Sequence, residues 1–161
     1  MDALSVFSPI TTQWFSSQVG IPTAVQEAAW SPIARGEHTL VSAPTGTGKT
    51  LSAFLVFVDR LLKEAFAGKL KQELQLIYVS PLKSLAGDIR ENLRRPLDGI
   101  CALAKQQRFF AGQMPVDIAL RTGDTPQSER RGMLRHPPHI LITTPESLSL
   151  MLTANSSQAV L

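Results

Sequence analysis

Ser42 to Thr50 read SAPTGTGKT. Gly48, Lys49 and Thr50 close the spacing of a phosphate-gripping loop, G-x-x-x-x-G-K-[ST], with Ala43 in the place of the first glycine. Gly46 and Gly48 let the backbone wrap close to phosphate oxygens, with Thr45 and Thr47 between and before them. Lys49 reaches the β- and γ-phosphates of a nucleoside triphosphate, and the Thr50 hydroxyl ligates Mg²⁺. A helix opening at Lys49 adds its N-terminal N–H groups and dipole.

Such a loop binds a triphosphate but needs an acidic partner to turn it over. The expected partner is an Asp ending an apolar strand, followed by a Glu; the Asp holds the magnesium and the Glu aims the water. Three apolar runs could end in such a pair. LQLIYVS is followed by Pro81, VDIALRT by Gly123-Asp124, and HILITT by Pro145-Glu146. None carries an adjacent Asp-Glu pair.

The elements that position these residues follow from turn and cap signals. Ser8-Pro9 starts a helix and Gly20 ends it. Thr23 caps a second that carries Gln26, and Ser31-Pro32 restarts one that stops at Gly36. HTLVSA is expected as a short strand feeding the loop. After it, Leu51, Phe54, Leu55, Val58, Leu61, Leu62 and Ala65 keep a helical period. Strands are expected at 74–80, 116–122 and 139–144. A helix runs from about Leu82 with a break at Pro96, a short charged one covers 127–134, and PESLSLML opens a last one. Strands alternating with helices predict an α/β fold with a parallel sheet flanked by helices, its chemistry at the carboxyl ends of the strands.

Composition bounds the function without naming it. The 161 residues carry a net charge of +3 and a sequence pI near 9.4, which permits a nucleic-acid partner without demanding one. One cysteine, Cys101, precludes an internal disulfide, fits a reducing cytoplasmic setting and sits in an apolar helical stretch as core. No membrane-length apolar run and no secretion signal are read.

Taken together, PTAVQ, SAPTGTGKT, VSPLKSLAGDIRENL, RTGDTPQSER and ILITTPESLSLML occur in one order over nearly the whole chain. They resemble the first RecA-like lobe of superfamily 2 helicases, and RTGDT followed by PPHILITTPESL resembles the large helicase-related (Lhr) family of DNA helicases. The resemblance implies an incomplete RecA-like P-loop NTPase lobe, with residues 1–36 as a helical Q-motif region and 37–161 as the P-loop core. It implies ATP and Mg²⁺ as cofactors, and single-stranded or partly duplex DNA, with RNA as an alternative, as partner.

Residue by residue, Gln26 occupies the adenine-recognising position, where an amide offers both a donor and an acceptor; Thr23 and Phe15 frame it. Read alone, Gln26 is also an ordinary exposed helix glutamine. Pro81, Lys83 and Ser84 resemble a loop that contacts nucleic-acid phosphates, as do Arg121-Thr122-Gly123 and Thr144-Pro145. Each is also explained as a helix cap or a strand-to-helix turn. Asp124 orients its loop or caps the next helix. Backbone and hydroxyl donors without base-reading pairs imply binding to single strands with little sequence preference.

The resemblance places an Asp-Glu-x-His motif, a further strand and a second lobe after Leu161. The expectation is a lobe that binds ATP, is marginally stable alone and neither hydrolyses ATP nor unwinds DNA without a completing portion or second chain. The alternative is a non-catalytic ATP- or nucleic-acid-binding remnant. His136-Pro137-Pro138-His139 is expected to be a rigid strand start rather than a metal site, and RRGMLR a solvated basic face.

Overall fold

Apolar spacing and caps act first at the N-terminus. In the computed structural model, which describes residues 3–81, 83–113 and 115–154 and only the backbone of 83–88, a 3₁₀ turn (Ala3–Val6) leads into α1 (Pro9–Gln18). Ser8 holds the N-cap position of α1, but its hydroxyl does not cap. It donates instead to Asp59 Oδ1 at 2.5 Å, and Ser8 N–H bonds the same oxygen at 3.1 Å. Helix α2 (Ala24–Ala34) begins on Thr23 and α3 (Lys49–Phe66) on Gly48.

These helices and the end of α4 (Lys83–Gln106) form one compact unit, residues 1–69 and 95–113. Its core centres on Trp30, fully buried, with Phe7 and Phe15 edge-on to the indole at centroid distances of 4.8 and 5.3 Å. Leu55, Val58 and Leu62 supply the buried stripe of α3.

Both prolines expected to interrupt helices lie inside continuous ones. Helix α2 runs through Pro32 and α4 through Pro96. A helix-interior proline costs about 3 kcal/mol. Burying Trp30 alone, at about 25 cal/mol per Å² over roughly 150–250 Å², returns about 4–6 kcal/mol. Along α4, Leu93, Leu97, Ile100 and Ala104 are all buried on one stripe that crosses Pro96, and their burial outweighs the same penalty.

The second unit, residues 70–94 and 114–161, holds the sheet. Strands β1 (Leu76–Val79), β2 (Ile118–Arg121) and β3 (Ile140–Thr143) are all parallel, in the order β1-β3-β2. Parallel pairing requires crossovers, and α5 (Gln127–Arg135) provides the one from β2 to β3. Helix α6 (Pro145–Thr153) follows β3. The central strand reads Ile-Leu-Ile-Thr and is fully buried throughout, as a strand covered on both faces should be. Met133 of α5 and Met151 of α6 pack with Leu141.

The segment HTLVSA differs from expectation. Residues 37–44 form no strand, and Leu40 is 93% exposed. A strand exists only through a hydrogen-bonded partner, and none of the three strands described pairs with this segment. Among the described residues, no helix is long and apolar enough to cross a membrane.

Candidate functional site

The phosphate-type loop belongs to the first unit. Gly46 and Gly48 both adopt φ of +83°, a left-handed conformation that costs glycine little and other residues more. This lets the chain turn into α3, whose first-turn N–H groups lack intrahelical partners. The loop is braced from three sides. Thr47 Oγ1 donates to the Pro44 carbonyl at 2.8 Å, Ser52 Oγ to the Gly48 carbonyl at 3.0 Å, and Thr23 Oγ1 to the Thr47 carbonyl at 2.9 Å.

Lys49 folds back over its own loop. Its Nζ donates to the carbonyls of Ala43 and Pro44, the second at 2.6 Å. Thr45, Gly46 and Thr50 are exposed. The cradle therefore fits a polyphosphate: open backbone at the glycines, a lysine ammonium at its centre and a helix N-terminus behind. For Mg²⁺ the fit is narrower. The exposed Thr50 hydroxyl is one oxygen that could serve as a ligand, and no group of three or more His, Cys, Asp or Glu among the described residues could hold a metal by itself.

Gln26 is brought to this loop, only 2% exposed. Its Oε1 accepts from Thr23 N–H at 2.9 Å while Thr23 Oγ1 accepts from Gln26 N–H at 3.3 Å, a complete capping box. Its Nε2 packs so close to Gly48 that a Cβ there would stand 2.6 Å away. Thr-x-x-Gln was a readable signal for this cap. Phe15 is fully buried in the core against Trp30.

The other candidate residues gather in the second unit. The register pairs Val79 with Thr143 and Arg121 with Thr143, so the three strands end level and their following loops lie side by side. Pro81 is exposed after β1, while Ser80 N–H bonds the Thr143 carbonyl at 2.9 Å. The side chains of Lys83 and Ser84 lie outside the described residues.

Hydroxyls at these strand ends, those of Thr122 and Thr144 among them, are engaged within the fold. Thr143 Oγ1 donates to the Arg121 carbonyl at 2.7 Å, tying β3 to β2. Thr144 Oγ1 caps α6 by accepting from Ser147 N–H at 3.3 Å. Thr122 Oγ1 accepts from Asp124 N–H at 3.3 Å, and Thr122 N–H donates to Thr125 Oγ1 at 2.8 Å. Gly123 and Pro145 are exposed, whereas Arg121, Thr122 and Thr144 are buried.

Arg130 belongs to the RRGMLR stretch, whose sequence predicts a solvated basic face. Its Nη2 in fact donates to the carbonyls of Thr122 and Gly123 at 3.2 and 2.8 Å and so holds that loop. Burial first, and the charge of Arg130 second, push the Arg121 guanidinium below its ordinary pKa. His139 is buried and accepts from Asp117 N–H through Nδ1 at 2.9 Å, anchoring the start of β3 beside the chain entering β2.

Comparison with known proteins extends this geometry. The family described as DEAD/DEAH box helicase matches residues 23–160. The chain is 50% identical over 153 residues to the Lhr helicase/probable uracil glycosylase of Mycolicibacterium smegmatis, covering 95% of this chain and 10% of that protein. It is 47% identical over 158 residues to the Lhr helicase/uracil glycosylase of Escherichia coli, again 95% of this chain and 10% of the relative. A solved structure of Mycobacterium smegmatis helicase Lhr bound to ssDNA and AMP-PNP superposes with a TM-score of 0.87 at 46% identity, over 99% of this chain and 19% of that one. The chain thus spans about a tenth of the length of these curated relatives. With the α/β architecture and the family match over most of its residues, the chain belongs to the DEAD/DEAH box helicases, as a fragment of a helicase ATPase domain.

Proposed function

We propose that these residues form part of the ATP-binding lobe of a 3′–5′ DNA helicase or translocase. The observation that carries this reading is the left-handed Gly46–Gly48 turn that delivers Lys49 and the N-terminus of α3 to one cradle. Mg-ATP would supply the phosphate-bond energy for movement. Lys49 exchanges its loop carbonyls for the β- and γ-phosphates, Thr50 offers its hydroxyl to the magnesium, and Thr45 to Gly48 line the phosphates with backbone. Gln26 meets the adenine edge by exchanging its cap bond for one to the base. The similar Lhr structure bound to ssDNA and AMP-PNP supports both partners.

The strand-end loops at Pro81–Ser84, Arg121–Gly123 and Thr144–Pro145 follow the strand backbone. With so many hydroxyls engaged internally, backbone N–H groups and positive charge carry the contact, so sequence preference is weak. DNA is the favoured strand over RNA, and a cytoplasmic location fits the single cysteine.

One sequence observation favours a second reading for the isolated residues. No Asp is followed by Glu anywhere in the 161 residues. We infer that they bind ATP or nucleic acid without turnover on their own, and that hydrolysis requires acidic residues from a further portion of the protein or a second chain. Binding of a fluorescent ATP analogue with Mg²⁺, with Lys49→Ala as control, tests the first reading. Saturable binding lost in the variant supports it, and no binding by the unaltered chain refutes it. DNA-stimulated ATP turnover by the purified chain, abolished by Lys49→Ala, would refute the second.

A further inference from the structure

Helix α5 carries two chemically distinct faces. Gln127, Arg130, Arg131 and Leu134 recur at i, i+3, i+4 and i+7, and all four line a cleft of about 270 Å³ whose other wall includes Leu150 and Thr153 of α6. Glu129, Gly132, Met133 and His136 follow the same spacing on another face and line a separate cavity. The only acid of α5 is thus turned away from its two central arginines.

No carboxylate lines the α5–α6 cleft among the described residues. Glu146 stands one turn before Leu150 on α6 and is not part of the lining. Arg121 does line it; burial first, and the nearby charge of Arg130 second, lower its pKa, so the two guanidinium groups feel one another at this site. Arg130 uses Nη2 to hold the Thr122–Gly123 loop, while its Nε is buried with no hydrogen-bond acceptor. An anion in the cleft would meet the charges of Arg130 and Arg131 and supply that acceptor.

The cleft is not purely polar. Leu150 is 66% exposed and Leu134 36% exposed. A free inorganic anion has no use for such a wall. A nucleotide unit does, because its sugar and base present apolar faces beside each phosphate. Arg130 is also continuous with the loop after β2, so a strand passing that loop meets the cleft next.

We propose that the α5–α6 cleft grips a backbone phosphate of a nucleic-acid single strand, with Arg130 and Arg131 supplying charge, Gln127 a neutral donor, and Leu134 and Leu150 a wall for sugar or base. This rests on the nucleic-acid reading above and extends the strand's track beyond the strand-end loops. Because the contact is to backbone, it does not depend on sequence.

The test uses the 161-residue chain and a labelled single-stranded oligonucleotide of about 20 nucleotides, longer than one binding site, titrated at several salt concentrations. Arg131→Gln removes one charge, and Leu150→Glu places a carboxylate in the cleft; both positions are exposed, and thermal melting verifies that both variants fold. Each variant is expected to bind about fivefold more weakly, the upper end for an exposed charge pair. Arg131→Gln is expected to flatten the slope of log affinity against log salt by about 0.7, the value for one phosphate on a single strand. Unaltered affinity and slope in both variants, while the parent chain binds, would overturn the cleft but leave the nucleic-acid reading standing. Failure of the parent chain to bind any oligonucleotide would overturn both. A melting shift with inorganic phosphate that Arg131→Gln abolishes, without an effect on oligonucleotide binding, would overturn the strand in favour of a free-anion site.

Discussion

Replacing Gly48 with alanine should damage the loop in two separable ways. Gly48 sits at φ +83° before α3, and a Cβ there would stand 2.6 Å from Nε2 and 3.3 Å from Cδ of Gln26. The left-handed backbone costs an L side chain about 1–2 kcal/mol. The overlap also drives the Gln26 amide from its place in the Thr23 capping box, and losing such a cap costs about 1 kcal/mol. Gly46 separates the two terms. It has the same φ of +83°, but nothing lies within 4 Å of its Cβ, so Gly46→Ala carries the backbone cost alone. Gly48→Ala is therefore expected to be less stable than Gly46→Ala by about 1 kcal/mol, or about 0.5 M in urea midpoint for an m-value near 2 kcal/mol per M. Trp14 and Trp30 are both buried in the unit that holds the loop, so tryptophan fluorescence reports the relevant transition. In a Gln26→Ala background the difference between the two glycine variants should vanish. Equal midpoints for the two single variants, or a gap that survives Gln26→Ala, would refute the coupling of Gln26 to the loop.

Gly99→Ala reverses the usual helix expectation: alanine ordinarily gains about 1 kcal/mol over glycine inside a helix. At Gly99 the new methyl would overlap the Trp14 indole nitrogen. Overpacking costs about 1–3 kcal/mol, so denaturation should show a net loss of up to about 2 kcal/mol, and a stabilised variant would contradict the tight approach of α1 to α4. Burial first pushes the Cys101 thiol up to about 11 from its ordinary 9.0, with Lys105 opposing and Asp98 reinforcing. The folded state thus favours the neutral thiol, so this contribution to stability is complete below about pH 9 and is lost as pH rises through about 11. Thiol-reactive dye should label Cys101 slowly in the native chain and rapidly in urea, and equal rates would place the thiol at the surface.

Much of the secondary structure was legible because its causes are local. The apolar period of Leu51 to Ala65 specifies α3, and the β-rich runs at 74–80, 116–122 and 139–144 contain the observed strands. Caps at Thr23 and Thr144 were readable as residue types, and both side chains cap as expected. Where burial competes with local preference, sequence reading failed. Pro32 and Pro96 look like breaks, yet Trp30 and the Leu93–Ala104 stripe carry both helices through. HTLVSA looks like a strand, but a strand needs a partner, and partners are non-local.

By itself, then, the order of residues determined which segments turn, cap or run helical, and which short motif could hold a phosphate. These properties depend on neighbours a few positions apart, whose steric and hydrogen-bonding preferences survive in any context. Only the tertiary structure decided that Gln26 serves a cap against Gly48, that Arg130 holds the Thr122–Gly123 loop, and that α5 turns Arg130 and Arg131 to one cavity and Glu129 to another. Those facts depend on which distant groups burial brings within hydrogen-bond reach, and that is settled when the elements pack.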